Sequence, residues 1–244
     1  MLSAYDIDTA AIEREVSATG LSIVQPTDRF RELYASARAD YLTAFRWTPV
    51  QRPKQPFRPA DLAKGPWRKY TIGSRNGVGE GYAQLLQTTY FDPSGESHPS
   101  LNRLFAVIIA LRNQLMRVAP DFGNDAARDG YWNACRVHHY PRGGGFMMSH
   151  CDTYFPVKLG DLPFYQVMAP LSIRGRDFTE GGGMLVTRQG ERVNTDEIAG
   201  FGSLIVFDGR ILHGVDDVDP AAIMDFNDEG GRLAAFANLY VVQP

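Results

Sequence analysis

Apolar positions recur at helical spacing through the first 130 residues and switch to alternation or short continuous runs from Tyr131 onward. Asp8 or Thr9 can cap a first helix that Gly20 ends, since a short polar side chain accepts from the free N–H groups at a helix start. Leu21-Ser22-Ile23-Val24 reads as a short strand stopped by Pro26. Thr27 can cap a longer helix whose Phe30, Leu33, Tyr34, Ala37, Tyr41 and Ala44 form one stripe, which predicts core packing. Pro99-Ser100 opens a third helix carrying Leu101, Leu104, Phe105, Ile108, Leu111, Leu115 and Met116 on one side. It stops near Pro120, and so broad an apolar face suits the outside of a sheet. The second half predicts strands over 131–140, 146–152, 165–173, 184–187, 203–207 and 232–242, separated by turn-rich pieces. With no linker between the halves, the reading is one domain over 1–244: helical support and a lid in 1–130, and a β core in 131–244.

The helical half is interrupted at 47–69. Pro49, Pro53, Pro56, Pro59 and Pro66 work against regular structure there, and Arg52, Lys54, Arg58, Lys64, Arg68 and Lys69 face one acid, Asp61. One reading is a solvated connection. The other is a lid in which Trp47, Phe57 and Trp67 cover a site while a cation meets a substrate carboxylate. A net charge of −3 gives no electrostatic reason to expect nucleic acid or an acidic membrane as partner. Two cysteines, Cys135 and Cys151, argue against a disulfide framework and suit a reducing compartment. The start shows no basic and apolar leader and no apolar run reaches membrane length, so the expected location is the cytoplasm. Oligomeric state is not encoded in any of these patterns.

The chemistry concentrates at Ser149-His150-Cys151-Asp152. On a strand, side chains alternate, so His150 and Asp152 share a face, and an imidazole and a carboxylate two residues apart can grip one metal ion. A third ligand is available at His213, which ends the run Phe207-Asp208-Gly209-Arg210-Ile211-Leu212-His213. Two histidines and one carboxylate with open positions opposite form the facial set of non-haem Fe(II) oxygenases. His138 and His139 are adjacent, so on a strand at most one of them points into a barrel. Arg136 and His138 share the face of Tyr140, which makes them candidate substrate contacts alongside Trp67.

Four segments in order resemble the 2-oxoglutarate/Fe(II)-dependent dioxygenases. Tyr140-Pro141-Arg142-Gly143-Gly144-Gly145-Phe146-Met147-Met148-Ser149-His150-Cys151-Asp152 is similar to the prolyl-hydroxylase-type run of tyrosine, glycine turn and His-x-Asp. Glu180-Gly181-Gly182-Gly183-Met184-Leu185 resembles that family's Gly-Gly-x-Leu segment. Gly202 to Phe207 leading to His213-Gly214-Val215 resembles its distal-histidine strand, and Gly231-Arg232 its terminal arginine strand. The resemblance covers roughly 131–244 and leaves the first 130 residues unmatched.

The resemblance implies a double-stranded β-helix (jelly-roll, cupin-like) barrel buttressed by the N-terminal helices, mainly β with α. It also implies Fe(II) held by His150, Asp152 and His213, with O2 and 2-oxoglutarate as cosubstrates. Arg232 would anchor the distal carboxylate of 2-oxoglutarate, with Tyr140 beside it, because a guanidinium fork matches a carboxylate. Two departures stand out: a longer step from His213 to Arg232, read as an acidic insertion over 216–230, and alanine at 234 where the family places a hydroxyl. Arg210 is the fallback anchor. The retained carboxylate at 152 favours hydroxylation over halogenation. The expected function is oxidation of a C–H bond in a small molecule, with an amino acid or a natural product derived from one as the expected substrate. The alternatives are a prolyl-type hydroxylase of protein residues and a cupin-like metal-binding barrel that does not turn over 2-oxoglutarate.

Overall fold

The computed structural model describes residues 7–50, 56, 58–73, 83–152 and 162–242. Helices α1 (Thr9–Thr19) and α2 (Asp28–Trp47) start where Asp8 accepts from the Ala11 amide and Thr27 from the Phe30 amide. Strand β1 (Leu21–Val24) lies between them, and α1 ends at Gly20 with φ +88°. Strands β2 (Trp67–Ile72) and β3 (Gln84–Phe91) precede α3 (Pro99–Leu115) and the single turn α4 (Ala126–Asp129). The β half follows as β4 (Tyr131–Tyr140), β5 (Gly145–His150), β6 (Tyr165–Pro170), β7 (Gly182–Val186) and β8 (Arg192–Asn194). The turn α5 (Thr195–Ile198) leads to β9 (Leu204–Asp208), β10 (His213–Val218) and β11 (Arg232–Val241).

All the strands join one sheet in the order β1-β9-β6-β11-β4-β3-β5-β10-β7-β8, with β2 added on β3, and every named ladder is antiparallel. Curled on itself, this is the jelly-roll architecture expected from the sequence. The longest ladder, β4 with β11, runs in unbroken register from Tyr131↔Val241 to Tyr140↔Arg232. Alternation along it separates two jobs. Cys135, Val137, Leu233, Ala235 and Ala237 turn outward and are buried against α1, α2 and α3 in the main core. Arg136, His138, Tyr140, Arg232 and Phe236 turn inward and line a cavity. Full burial of one strand face beneath three helices stabilises the barrel at roughly 25 cal/mol for each Å² of apolar surface removed from water. α3 is also tied down by polar contacts: buried Arg112 donates to the Ala237 carbonyl and to Asn113 and Asn133, all neutral acceptors.

The first 130 residues hold more sheet than their pattern shows, because β2 and β3 pair into the barrel wall and β3 runs directly beside β4. Much of the proposed lid is fixed structure where it is described. Pro59–Leu62 form a 3-10 turn, Leu62 is buried against Tyr90 and Trp132, and Trp67 begins a strand. Arg68 turns onto the helix-covered face of the sheet, donating to Gln87 and the Phe45 carbonyl with its guanidinium 4.1 Å over the Phe45 ring. Trp47 stays exposed, whereas Phe57 and the 51–55 segment, with Arg52 and Lys54, lie outside the described residues. The expected acidic insertion is also shorter, since Asp216 to Val218 continue β10. Asp219 follows at φ +43° and accepts from the amides of Thr179 and Glu180 and from Arg142.

Candidate active site

His150 ends β5, His213 opens β10, and the register places them directly opposite each other. Their rings stand 4.3 Å apart, centroid to centroid. The Nδ1 of His150 lies 2.9 Å from the Met148 carbonyl, and that of His213 lies 2.9 Å from the Ile211 carbonyl. A carbonyl only accepts, so both Nδ1 atoms carry the proton and each Nε2 presents a lone pair. Those lone pairs converge on Asp152, with Nε2 of His150 3.8 Å from one carboxylate oxygen and Nε2 of His213 3.8 Å from the other. These separations are too long for hydrogen bonds, yet they suit an ion between the groups. Ligand atoms held at about 2.1 Å from a common ion stand roughly 3 to 4 Å apart. Burial lowers the His213 pKa, which keeps its imidazole in the neutral, ligating form. His150, Asp152 and His213 thus form a cluster able to hold a metal ion, with one donor atom of each inside a span of 4.8 Å.

Close packing and polar contacts hold this cluster in shape. The Asp152 amide donates to the Gly209 carbonyl at 2.7 Å, and a Cβ at Gly209 would come within 2.6 Å of the Asp152 carboxylate. Gln166 donates to the same carboxylate at 2.9 Å and accepts from Asn238 at 2.8 Å. Neither residue was flagged by the sequence reading. A lone glutamine inside the apolar run Tyr165-Gln166-Val167-Met168-Ala169 was the available signal, because a buried amide must find a partner.

Arg232 and Tyr140 meet at one end of the cavity. Arg232 is 1% exposed, with its guanidinium carbon 5.5 Å from the Tyr140 ring centre. It is not a surface arginine: its Nε donates to Asp196 at 2.6 Å, and Asp196 also accepts from the Gly183 amide at 2.5 Å. Asp196 was missed because Asn194-Thr195-Asp196 reads as an ordinary helix start, which it also is. Gly183 is required here, since a Cβ there would sit 2.6 Å from an Arg232 nitrogen and 2.3 Å from the Thr195 hydroxyl. Arg210, by contrast, is half-exposed and paired with Asp208, and it does not line the cavity.

His138 connects Tyr140 to Arg136. Arg136 donates from Nε to His138 Nε2 at 2.9 Å, so the His138 proton is on Nδ1, 3.4 Å from the Tyr140 hydroxyl. Burial, with Arg136, Lys69 and Arg232 nearby, pushes the His138 pKa well below its ordinary value and keeps the ring neutral. Burial pushes the Tyr140 phenol up to about 12, so it stays protonated. With its oxygen facing the His138 N–H, the phenol can donate its own proton into the cavity. His139 faces the other way, between the Tyr41 hydroxyl and the Gly230 carbonyl, while His98 packs on the Phe91 ring. Trp67 is the one candidate substrate contact not brought to the cavity. Its register partner is Tyr90, and it packs beside Leu62, Tyr90 and Trp132.

No family model and no curated protein sequence matches the chain. Solved structures do match in fold. A Pseudomonas putida prolyl-4-hydroxylase superposes with a TM-score of 0.56 at 15% identity, covering 97% of this chain and 100% of that one. A Trichoplax adhaerens prolyl hydroxylase in complex with a hypoxia inducible factor peptide fragment gives 0.58 at 13% identity, covering 96% and 89%. The epimerase SnoN in complex with Fe3+, alpha ketoglutarate and nogalamycin RO gives 0.52 at 14% identity, covering 96% and 84%. The chain therefore has the fold of the 2-oxoglutarate/Fe(II) oxygenases. Among the described residues no helix is long and apolar enough to cross a membrane.

Proposed function

We propose that the protein is a 2-oxoglutarate- and Fe(II)-dependent oxygenase that oxidises a C–H bond of a small molecule, by hydroxylation or a related outcome. The observation that carries this reading is that the His150–Asp152–His213 cluster and the buried Arg232–Tyr140 pair line the same cavity, of about 790 Å³ with its open mouth included. In this reading His150, Asp152 and His213 hold the iron through two Nε2 lone pairs and a carboxylate, with Gln166 and Asn238 fixing the angle of Asp152. Arg232 turns its terminal nitrogens, one of them now only on the weakly accepting Met168 sulfur at 3.6 Å, to the distal carboxylate of 2-oxoglutarate, and Tyr140 donates its hydroxyl proton beside it. When bound, iron and 2-oxoglutarate supply O2 activation coupled to oxidative decarboxylation of the cosubstrate to succinate and CO2. The residues that line the cavity orient the substrate and keep water from it. The prolyl hydroxylases share the fold at 13 to 15% identity, which carries no substrate with it.

One observation favours a second reading, a metal-binding barrel that does not consume 2-oxoglutarate. Arg232 already has a carboxylate partner in Asp196. Anaerobic titration with Fe(II), with and without 2-oxoglutarate, separates the two. The oxygenase reading requires a weak visible absorption band that appears only with both, followed by O2-dependent succinate. Iron binding without that band would leave the second reading standing.

A further inference from the structure

The far end of the cavity from Arg232 holds a second buried guanidinium with no acid against it among the described residues. Arg136 is 8% exposed and sits four residues along β4 from Tyr140, roughly 13 Å away at strand spacing. Its Nε donates to His138 and its Nη1 to the Ala134 carbonyl at 3.3 Å, and Nη2 has no hydrogen-bond partner among the described residues. The rings of Phe236 and Tyr240 flank it at 5.6 and 5.3 Å. Lys69 stands on the same sheet face one row over, because it pairs with Thr88, which pairs with His138. It forms no ion pair or hydrogen bond with a described residue, and burial followed by Arg136 lowers its pKa. The other candidate cations of the 47–69 stretch that are described lie elsewhere: Arg58 pairs with Asp61, Arg68 is satisfied by Gln87 and carbonyls, and Lys64 is exposed.

Charge along the cavity is then out of balance. Arg136 and Arg232 line it and Lys69 stands beside Arg136, against two carboxylates: Asp152 in the lining and Asp196 on Arg232. A ferrous ion and the doubly negative 2-oxoglutarate cancel each other, so loading both leaves one positive charge over. Leaving a buried cation uncompensated is costly, and a fork with one free amino group beside an ammonium suits a carboxylate.

We infer that Arg136 and Lys69 form a carboxylate-recognition subsite, and that the substrate is a small monoanionic carboxylic acid whose apolar part packs on the cavity side of Phe236. This rests on the oxygenase reading for which reaction follows, but not for the binding itself. The test uses benzoate, flat enough to lie on the Phe236 ring, against its neutral isostere benzamide. Anaerobic protein loaded with Fe(II) and excess 2-oxoglutarate is titrated with each by calorimetry. Benzoate should bind about tenfold or more tightly than benzamide, and Arg136→Gln and Lys69→Gln should each remove most of that preference. The visible iron–2-oxoglutarate band should survive in both variants. Absence of benzoate binding, equal binding of the two probes, or an unchanged preference in Arg136→Gln would overturn the inference. So would loss of the band in Arg136→Gln, which would make this arginine a cosubstrate anchor. If the unaltered protein shows no band at all, the oxygenase reading fails separately. The same titration on metal-free protein then decides the subsite, with Arg136→Gln separating binding there from binding at Arg232.

Discussion

Arg232 and Arg136 face one cavity from paired strands, and both are almost completely buried, yet they are compensated in opposite ways. Arg232 has Asp196 on its Nε and a tyrosine ring beside it; Arg136 has a neutral imidazole, a carbonyl and two aromatic rings. The difference separates positioning from vacancy. An arginine pinned through Nε by a fixed carboxylate presents its terminal nitrogens in one orientation, ready for a bidentate partner. An arginine held by neutral groups keeps its charge available for whichever anion enters.

The largest effect should come from removing the pinned side. Arg232→Ala leaves Asp196 buried without its partner and removes the proposed 2-oxoglutarate anchor. The loss of one member of a buried pair is worth about 3–5 kcal/mol, or about a hundredfold or more in 2-oxoglutarate affinity. Titration of the visible band should show this, with iron stoichiometry intact and Arg210→Ala close to the unaltered protein. If Arg210→Ala produced the large loss instead, the assignment of Arg232 would be wrong.

The comparison extends to the two adjacent histidines, one facing the cavity and one the helices. Burial lowers the His139 pKa from 6.5 to about 4, so the unfolded chain binds the proton more readily than the folded one. Stability should therefore be complete above the unfolded value and fall as pH drops toward about 4, by roughly 3 kcal/mol from this residue. His138 adds a loss of the same sign. Urea midpoints recorded down the pH scale should fall on a visibly shallower slope in His139→Gln. An unchanged slope would mean that other groups control acid unfolding.

Asp196→Asn tests the pin alone. A charge-assisted hydrogen bond is weakened while the shape is kept, and about 2 kcal/mol of stability should go. Iron loading should not change. The smallest effect is expected at the uncompensated end, where Arg136→Gln removes a charge that no acid offsets. Its stability should stay within about 0.5 kcal/mol of the original or rise. A Tm in Arg136→Gln that fell as far as in Asp196→Asn would show that Arg136 is a structural residue after all.

The His150 and Asp152 part of the cluster was readable from their two-residue spacing, although β5 ends at His150 and Asp152 lies just beyond it, and His213 was readable from its place at the end of a second apolar run. Arg232 was readable as a candidate, but its partner was not. Asp196 is distant in sequence and sits in a helix-start pattern that explains it locally. Gln166 and Asn238 act across three strands, and nothing short of the sheet order reveals that. β2 and β3 were obscured for another reason. Prolines and glycines around them broke the alternation that the later strands keep, although their ladder with β4 is regular. The lid reading weighted the prolines too heavily against Arg68 and Leu62, both of which are buried.

The register between β4 and β11 has a kinetic consequence as well. Tyr140 and Arg232 are partners across about ninety residues of chain, and β11 follows every other described strand in sequence. Ladders closed between such distant segments form late, because the loop entropy must be spent before the pairing repays it. A growing chain can therefore bring His150 and His213 together while the wall carrying Arg232 is still missing. Ferrous ion captured at that stage would sit in an open trough of sheet, without the arginine end of the cavity. On the oxygenase reading, order of assembly, and not affinity alone, would set when the cluster meets iron inside a closed cavity.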